Sequence, residues 1–436
     1  MKKKQKSNWK KCKLGDVISV KHGFAFKGAF FTEVPTHYIL VTPGNFHIGG
    51  SFKDSKLKYY KGPVPQDYIL HTADVIVTMT DLSKEGDTLG YSALVPNFKR
   101  FLLLHNQRIG LIVLKNNEIE KNFIYWVMRS PHYHQYIVNT ASGSTVKHTS
   151  PGRIENFEFL CPPLDEQKRI AEILGSLDDK IELLQKQNKT LEEMAKATFK
   201  SWFVDFDVVR AKQKGLPKAD IMREYHLTDE FYDLFPSSFA DSPLGPIPSG
   251  WEVKPLSKIA TFLNGLALQK YPARAEEDFL PVIKIAELRN GISTSTDKAN
   301  TNLPTEYIVH NGDILFSWSG SLMVKIWSGE KGALNQHLFK VFSNGYPKWF
   351  YYLWVNHYLP MFQEIAADKA TTMGHIQRKH LDQAKVVCPS AAFLDKMDKI
   401  FGVILSKIIL NNKQIQTLTE LRDSLLPRLI SGKIEV

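Results

Sequence analysis

The sequence of this chain contains two copies of one pattern, arranged one after the other. The first copy opens WKKCKLGDVISVKHGFAFKG at Trp9, and the second opens WEVKPLSKIATFLNGLALQK at Trp251. Three more matches follow in the same order: LHTADVIVTMT with VHNGDILFSWS, an Asn-Gln pair at 106 and again at 335, and FLCPP with VVCPS. Such repetition predicts two domains that share one fold.

The spacing between equivalent residues decreases along the chain, so the first copy carries insertions that the second lacks. Most of this decrease falls between the matched Asp74 and Asp313 and the two Asn-Gln pairs. A preserved order with variable spacing indicates a common framework that carries different surface loops.

Short runs rich in Val, Ile and aromatic residues, bounded by Gly, Asn, Asp or Pro, predict strands in both copies. They lie at 74–78 and 108–114 in the first copy and at 313–318 and 337–342 in the second. An aromatic-rich helix is predicted after them, with NFIYWVM in one copy and WFYYLWV in the other. Each domain is therefore predicted to be mixed α and β.

Two long helices are predicted, one after Pro162-Pro163 and one after Pro389, because apolar residues there recur at spacings of three and four. The first covers about 164–202, roughly 58 Å at 1.5 Å per residue. One helix leaves the first domain and the other must return, so we expect an antiparallel coiled coil. The predicted seam consists of Ile170, Leu174, Leu177, Ile181, Leu184, Leu191, Met397, Phe401, Ile404, Ile408, Ile415 and Leu418.

Asn188 and Asn411 fall within the two heptad patterns, near the middle of each helix. Each either sets the register as a buried polar residue or faces water at an imperfect heptad. The sequence alone leaves both alternatives open.

The predicted fold is therefore α+β, with two globular mixed α/β domains separated by a pair of long antiparallel coiled-coil helices and related by a pseudo-two-fold repeat. A stretch rich in Pro, Ser and Gly predicts a connector rather than a third core. The predicted order is a first domain at 1–160, a central helix at 161–210, the connector at 211–250, a second domain at 251–387 and a C-terminal helix at 388–436.

The chain is basic, with 56 Lys and Arg against 45 Asp and Glu, a formal net charge of +11. Such a balance favours a polyanionic partner such as DNA, because phosphate neutralisation releases counterions. The three cysteines form no CxxC spacing, which predicts a reducing, cytoplasmic setting. No apolar run is long enough to predict a membrane span.

The usual catalytic signatures are missing from the sequence. It contains no GxxxxGK[ST] phosphate loop, no Asn/Asp-Pro-Pro motif ending in an aromatic residue, and no HExxH. We therefore predict no catalytic residues and no metal site. A standalone DNA methyltransferase or nuclease with a degenerate, unrecognised site remains as the alternative.

Four segments resemble the conserved regions of specificity subunits of type I restriction-modification enzymes. They are PPLDEQKRIAEILGSLDDKIELL at 162–184, TFKSWFVDFD at 198–207, SPLGPIPSGWEVKPL at 242–256 and LRDSLLPRLISGKI at 421–434. The resemblance implies two target-recognition domains that read the halves of a bipartite, asymmetric site on double-stranded DNA. It also implies that the long helices act as a ruler and bind two methyltransferase subunits, to which restriction subunits attach. S-adenosylmethionine, ATP and Mg would then belong to those partners, with no cofactor in this chain.

Exposed side chains that can reach base edges are the candidate DNA contacts, since Arg and Lys suit guanine while Asn and Gln suit adenine. In the first copy they are Lys21, His22, Lys27, Ser83, Lys84, Gln107, Thr145, Lys147 and His148. In the second copy they are Asn264, Gln269, Lys270, Ser319, Gln336, Thr372, His375, Gln377, Arg378 and Lys379.

Each candidate taken singly also fits a solvated loop residue or a phosphate contact. The runs STVKH and TTMGHIQRK align through Thr145 with Thr372 and His148 with His375, which favours DNA contact for these two clusters. The recurring Asn-Gln pair instead suggests a structural or backbone-positioning role, because domains that read different sequences can share phosphate contacts but not base contacts.

Overall fold

A computed structural model describes residues 8–274, 278–293, 295–368 and 374–436 of the chain. It divides into two compact units, which we call the first unit, Met1–Lys180 with Leu418–Val436, and the second unit, Ile181–Thr417. Each unit contains one copy of the repeat and a part of each long helix. The units therefore differ from the domains predicted by sequence, because the two ends of each helix pack on different cores.

The elements from the N-terminus to the first long helix alternate short strands with short helices. The strands are β1 Lys10–Lys13, β2 Ile18–His22, β3 Phe31–Thr32, β4 Tyr38–Val41, β5 Lys58–Tyr60, β6 Ile69–Leu70, β7 Val75–Thr78, β8 Thr80–Asp81, β9 Ser92–Leu94, β10 Leu102–His105, β11 Ile109–Leu114, β12 Lys147–His148 and β13 Glu158–Cys161. The helices are α1 Leu14–Val17, α2 Lys121–Val127, α3 Pro131–Thr140, α4 Pro151–Glu155 and α5 Leu164–Phe199.

The rest of the chain follows the same order after three connector helices. Its strands are β14 Phe239–Ala240, β15 Ile247–Pro248, β16 Glu252–Pro255, β17 Thr261–Asn264, β18 Phe279–Ile283, β19 Lys298–Asn300, β20 Ile308–Val309, β21 Ile314–Ser317, β22 Val324–Ile326, β23 Gly332–Leu334, β24 Leu338–Phe342 and β25 Lys385–Cys388. Its helices are α6 Asp207–Gln213, α7 Lys218–Glu224, α8 Asp229–Leu234, α9 Leu256–Ile259, α10 Ile285–Asn290, α11 Lys348–Asp368, α12 Arg378–Gln383 and α13 Ala391–Ile430.

The two units have matching sheets, which confirms the predicted mixed fold and its repeat. The first contains a sheet of order β2-β11-β7-β9 and another of order β3-β5-β4-β10-β6. The second contains β17-β24-β21-β22 and β19-β18-β23-β20. In each, one pair in the second-named sheet is parallel, β4 with β10 and β18 with β23. The predicted strand runs form the centres of the sheets as β7, β11, β21 and β24.

A two-stranded ladder closes each copy in the same register. Lys10 pairs with Cys161 in the first unit, and Glu252 pairs with Cys388 in the second. This ladder brings the first strand of a copy beside the strand that leads into a long helix. The aromatic-rich helices α2 and α11 supply the largest buried side chains of the two cores, including Trp126 and Trp349.

The two long helices pair antiparallel within each unit. In the first unit Asp178 of α5 contacts Arg422 of α13. In the second unit Phe199 of α5 lies 6.4 Å from Phe401 of α13, ring centre to ring centre. The helix α5 begins at Leu164 as predicted, but at Lys200 it widens into a π-turn that ends at Val204.

The predicted seam residues lie at the inner faces of these helices to different degrees. Those that are buried are Ile170, Leu174, Ile181, Leu184, Met397, Phe401 and Ile408. Those that are half-buried are Leu177, Leu191, Ile404, Ile415 and Leu418.

The two asparagines of the seam are buried and bonded to each other in the second unit. Asn411 is fully buried, and its Nδ2 donates to Oδ1 of Asn188 over 2.9 Å. Asn188 in turn donates to Oδ1 of Asn412 over 2.7 Å. The alternative that they face water is therefore wrong.

The connector has no core of its own, but it packs on the core of the second unit. Ile221, Phe235 and Ile247 are buried in the same cluster as Trp202. The ammonium of Lys212 donates to the carbonyl oxygen of Tyr232 in α8 over 2.7 Å and to that of Phe235, the residue after α8, over 2.6 Å. The Pro- and Ser-rich sequence thus forms a folded strap rather than an extended linker.

A buried ionic cluster ties the first domain to both long helices within the first unit. Arg129 donates to Asp178 Oδ2 over 2.5 Å and to the carbonyl of Gly49 over 2.8 Å, and its guanidinium lies 4.4 Å from the ring of Trp126. Arg422 pairs with the other oxygen of Asp178. Burial raises the pKa of Asp178, but the two arginines outweigh it and lower that pKa overall.

We expect Asp178→Ala to destabilise the first unit by about 3 kcal/mol, because it leaves the buried guanidinium of Arg129 without its counter-charge. Hydrogen exchange should show faster opening of β7 and β11, with β21 and β24 unchanged. The control is Glu182→Ala, which removes an exposed ion pair with Lys186 and should have little effect. Equal effects of both substitutions would contradict a structural role for the cluster.

Candidate nucleic-acid interface

The first Asn-Gln pair forms a tight turn between β10 and β11. Phe24 donates its N–H to the carbonyl of His105 over 2.8 Å, and Gln107 donates its own to the carbonyl of Phe24 over 2.9 Å. The buried Asn106 side chain accepts from the N–H of Arg108 over 3.0 Å. The asparagine therefore holds the turn, while the side chains of Gln107 and Arg108 are exposed.

The second Asn-Gln pair forms the same turn between β23 and β24. Leu266 donates to the carbonyl of Leu334 over 2.9 Å, and Gln336 donates to the carbonyl of Leu266 over 2.9 Å. The buried Asn335 accepts from the N–H of His337 over 3.2 Å. The Asn-Gln pair therefore recurs in the sequence because the same turn, with the same backbone hydrogen bonds, occurs in both units.

Two glycines allow the neighbouring segment to approach this turn. A Cβ at Gly23 would lie 2.1 Å from the carbonyl oxygen of Asn106, and one at Gly265 would lie 2.2 Å from that of Asn335. Only glycine fits at such a distance. The glycine and the asparagine of each turn therefore fix the backbone that carries the neighbouring exposed side chains, such as Gln107 and Arg108.

A hydroxyl and histidines lie beside the turn in each unit. In the first, Thr80 Oγ1 lies 3.2 Å from Nδ1 of His148, which pairs with it across β8 and β12. In the second, Ser319 forms a bridge with His375, and its Oγ lies 3.0 Å from Nδ1 of His337. The predicted alignment of His148 with His375 is therefore also a spatial equivalence.

In the first unit these residues surround an open depression of about 470 Å³. Three of the predicted contacts line it, namely His22, Gln107 and His148. Sequence reasoning missed Arg108, although it directly follows the Asn-Gln mark. The full lining is His22, Gly23, Ala25, Met79, Thr80, Gln107, Arg108, His148 and Thr149.

In the second unit the equivalent residues surround the indole of Trp318. Its Nε1 donates to Oδ1 of Asn264 over 2.9 Å and to the carbonyl of Gln336 over 3.1 Å. The rings of His337 and His375 lie 6.1 and 6.2 Å from it, centre to centre. Sequence reasoning missed Trp318 and His337, each of which adjoins a predicted residue.

The remaining candidates of the first unit do not line the depression. Lys21 donates to the carbonyl of Asp67 over 2.9 Å. The hydroxyl of Ser83 accepts from the N–H groups of Gly86 and Asp87 and so stiffens its own loop. The other four are partly or fully exposed on turns and on β12: Lys27, Lys84, Thr145 and Lys147.

The remaining candidates of the second unit are spread over two surface segments. Gln269 and Lys270 are exposed in a short 3-10 turn. Gln377 precedes α12, and Arg378 lies 5.7 Å from the ring of Phe339 while donating to the carbonyl of Phe262. Lys379 is exposed on α12. Thr372 lies outside the described residues.

A carboxylate anchors the loop beside the first depression. Asp81 is buried, and it accepts from Ser83 N over 2.7 Å and from Thr88 Oγ1 over 2.6 Å. Burial raises the pKa of Asp81, but these hydrogen bonds outweigh it and lower the pKa overall. The loop that carries Lys84 is therefore held rigidly at neutral pH.

The part of the chain that the structure describes contains no group of three or more His, Cys, Asp or Glu residues that could hold a metal ion. None of its described helices is long and apolar enough to cross a membrane. The side chains at both sites present hydrogen-bonding groups, and Arg108 adds an exposed positive charge at the first site.

The sequence matches a family profile described as "Type I restriction modification DNA specificity domain" over residues 6–193 and 248–420. It is 26% identical over 356 residues to the type I restriction enzyme MjaIX specificity subunit of Methanocaldococcus jannaschii, covering 80% of this chain and 76% of that one. It is 26% identical over 406 residues to the HindI specificity subunit of Haemophilus influenzae, covering 80% and 87%. Its fold is similar to the crystal structure of the type I restriction-modification S subunit from M. genitalium, with a TM-score of 0.54, 15% identity and 98% coverage of each chain.

A buried histidine under the first turn generates a pH dependence. Nε2 of His105 lies 2.9 Å from the carbonyl of Ile109, and burial lowers the pKa of His105 to about 4 from 6.5. Between these two pH values the His105 side chain is protonated in the unfolded chain and neutral in the folded chain. Its contribution to the free energy of unfolding is therefore fully present above about pH 6.5 and is lost as the pH drops toward 4. The second copy has Leu334 at this position.

We expect His105→Leu to reduce the loss of thermal stability between pH 7 and pH 4.5, as measured by circular dichroism. The control is His37→Ala, an exposed histidine of the same unit. An unaltered profile in His105→Leu would show that other groups cause the acid sensitivity.

Proposed function

Since the chain belongs to the type I restriction-modification DNA specificity family, we propose that each of its two units reads one half of a bipartite, asymmetric DNA site. The chain is a DNA-recognition subunit of a restriction-modification complex and is not itself catalytic, as befits a member of this family. The alternative of a standalone methyltransferase or nuclease finds no support in these relationships.

The proposal rests on two equivalent surface sites, one in each unit. Their backbone hydrogen bonds are the same, but their exposed side chains differ. The turns at Asn106 and Asn335 share their hydrogen bonds, yet Arg108 in the first unit corresponds to His337 in the second. Phosphate contacts position a protein on DNA, whereas base contacts specify sequence. A constant framework with varied exposed side chains is the arrangement expected of two readers with different half-sites.

Roles for individual side chains follow from their chemistry. Arg108 suits the O6 and N7 acceptors of guanine, and Gln107, Gln336 and Asn264 suit adenine. The cations around the two sites suit phosphates, because each phosphate contact releases a counterion on binding. They are Lys21, Lys27, Lys84, Lys147, Lys270, Arg378 and Lys379.

The long helices serve in this proposal as spacer and as binding surface for two methyltransferase subunits, with restriction subunits joining through the assembled complex. Support comes from exposed apolar residues on these helices, with Leu183 48%, Met194 55%, Val403 62% and Leu410 49% exposed. S-adenosylmethionine, ATP and Mg would be held by the partners. A cytoplasmic location is consistent with three cysteines that are all free thiols.

The half-site assignment is tested by Arg108→Ala and His337→Ala, each combined with the methyltransferase partner in a host cell. Sequencing of modified DNA should show relaxed specificity at one base of one half-site for Arg108→Ala, a loss of about 1–3 kcal/mol of discrimination. His337→Ala should affect only the other half-site. The control is Arg100→Ala, an exposed arginine away from the depression. A change in both half-sites for either variant would contradict independent readers.

The spacer role is tested by adding seven residues to both helices, between Ile181 and Leu184 and between Ile415 and Leu418. The insertion preserves the heptad phase and lengthens the pair by about 10 Å. The gap between half-sites should grow by about three base pairs, given 3.4 Å per base pair. A matched control adds the heptad to α13 alone. This insertion shifts the seam residues on one side of it by one heptad relative to their partners on α5, and it should impair assembly. An unchanged gap with the double insertion would refute the ruler.

A further inference from the structure

The two sites differ in the size of the side chain at one position, which is the buried Met79 in the first unit and Trp318 in the second. The N–H of Met79 donates to the carbonyl of Arg108 over 2.9 Å, and its carbonyl accepts from Thr149 over 3.0 Å. Its side chain is 3% exposed and forms part of the lining of the depression. The neighbouring position is Gly110, where a Cβ would lie 3.4 Å from the Met79 sulfur and only 2.5 Å from Cγ1 of Val20.

Trp318 makes the same two backbone bonds in the second unit. Its N–H donates to the carbonyl of His337 over 3.4 Å, and its carbonyl accepts from Ile376 over 3.0 Å. Phe339 takes the place of the glycine, and its ring lies 5.9 Å from the indole at an interplanar angle of 31°. At these two positions the second unit therefore has packed aromatic rings where the first unit has a methionine and a glycine.

We propose, building on the function proposed above, that the depression of the first unit is a pocket for the major-groove edge of a guanine, and that Trp318 closes the equivalent pocket in the second. The first unit would then read with a recessed arginine, and the second with a flat surface of indole and imidazole rings. The pocket's ligand is the N7 and O6 pair of acceptors, and Arg108 is the residue that binds them.

The surroundings of Arg108 suit this task. Arg108 is exposed at the rim, and no hydrogen bond or ion pair joins its guanidinium to another described residue. The hydroxyl of Thr80 and the rings of His22 and His148 add hydrogen-bonding groups around the same opening. Its backbone is held by the turn at Asn106. Because the backbone of Arg108 is fixed and the N–H groups of its guanidinium are available, the side chain can donate two parallel hydrogen bonds to a base edge.

The experiment uses the complex of this chain with its methyltransferase partner and a duplex that carries the motif found by sequencing modified DNA. Each guanine of the half-site that changes in Arg108→Gln is replaced in turn by 7-deazaguanine, which lacks the N7 acceptor. For the wild-type chain we expect a loss of affinity of about tenfold at one guanine. The same replacements in the other half-site serve as the internal comparison.

Met79→Trp should fill the pocket, so that binding of the normal duplex weakens about tenfold and the sensitivity to 7-deazaguanine disappears. The matched control is Met79→Leu, which keeps the volume of the side chain and should behave as wild type. Because Met79→Trp is a core substitution and could impair folding, Arg108→Gln provides a second variant, exposed and also expected to be insensitive to 7-deazaguanine.

The pocket is ruled out if the first half-site contains no guanine, if 7-deazaguanine has no effect on the wild-type complex, or if Met79→Trp folds and keeps the sensitivity. In those cases a motif is still read, so the proposed function survives. If Arg108→Gln changes neither half-site, the pocket is likewise ruled out, and if it changes both half-sites, the assignment of independent readers itself fails.

Discussion

The antiparallel pairing of α5 and α13 is the constraint on which the rest of the structure depends. Each sheet domain begins and ends at a two-stranded ladder that leads directly into one of these helices. Each domain also packs its core on residues of both helices, such as Leu174 and Leu429 in the first unit. A coiled coil of leucines alone would tolerate a shift by one heptad, because the apolar pattern repeats every seven residues.

Two polar contacts remove that freedom, and they differ between the units. In the first, Asp178 lies between Arg129 and Arg422. The equivalent positions in the second unit hold Leu405, Asn356 and Ala195, and its polar contact is instead the buried pair of asparagines. A shift by one heptad would leave the buried Arg129 and Asn411 unpaired, at a cost of several kcal/mol. The repeat is thus symmetric in its fold and asymmetric in the contacts that fix its register.

The sequence was sufficient to predict the repeat, the central strands and the long helices, because these depend on periodicity and on matched marks such as Asn106 and Asn335. It could not predict that Lys200 begins a π-turn or that the Pro-rich connector packs on Trp202, because both depend on tertiary contacts of aromatic residues. Among the candidate contacts, those adjoining a matched mark lie at the two sites, as His22, Gln107 and His148 do. Those chosen by charge alone, such as Lys27, do not.

The omission of Arg108, Met79 and Trp318 has a physical reason. The matched marks identify residues that hold the backbone, and such residues recur because the turn requires them in both copies. Side chains that read different half-sites would differ between the copies, so a comparison that searches for similarity passes over such positions. Candidate base contacts are better sought at positions whose backbone hydrogen bonds are the same in both units but whose side chains differ in size or charge. Gly110 and Phe339 show that such a contrast also occurs beneath the surface, since the second unit packs a ring against Trp318 at the position where the first unit has a glycine.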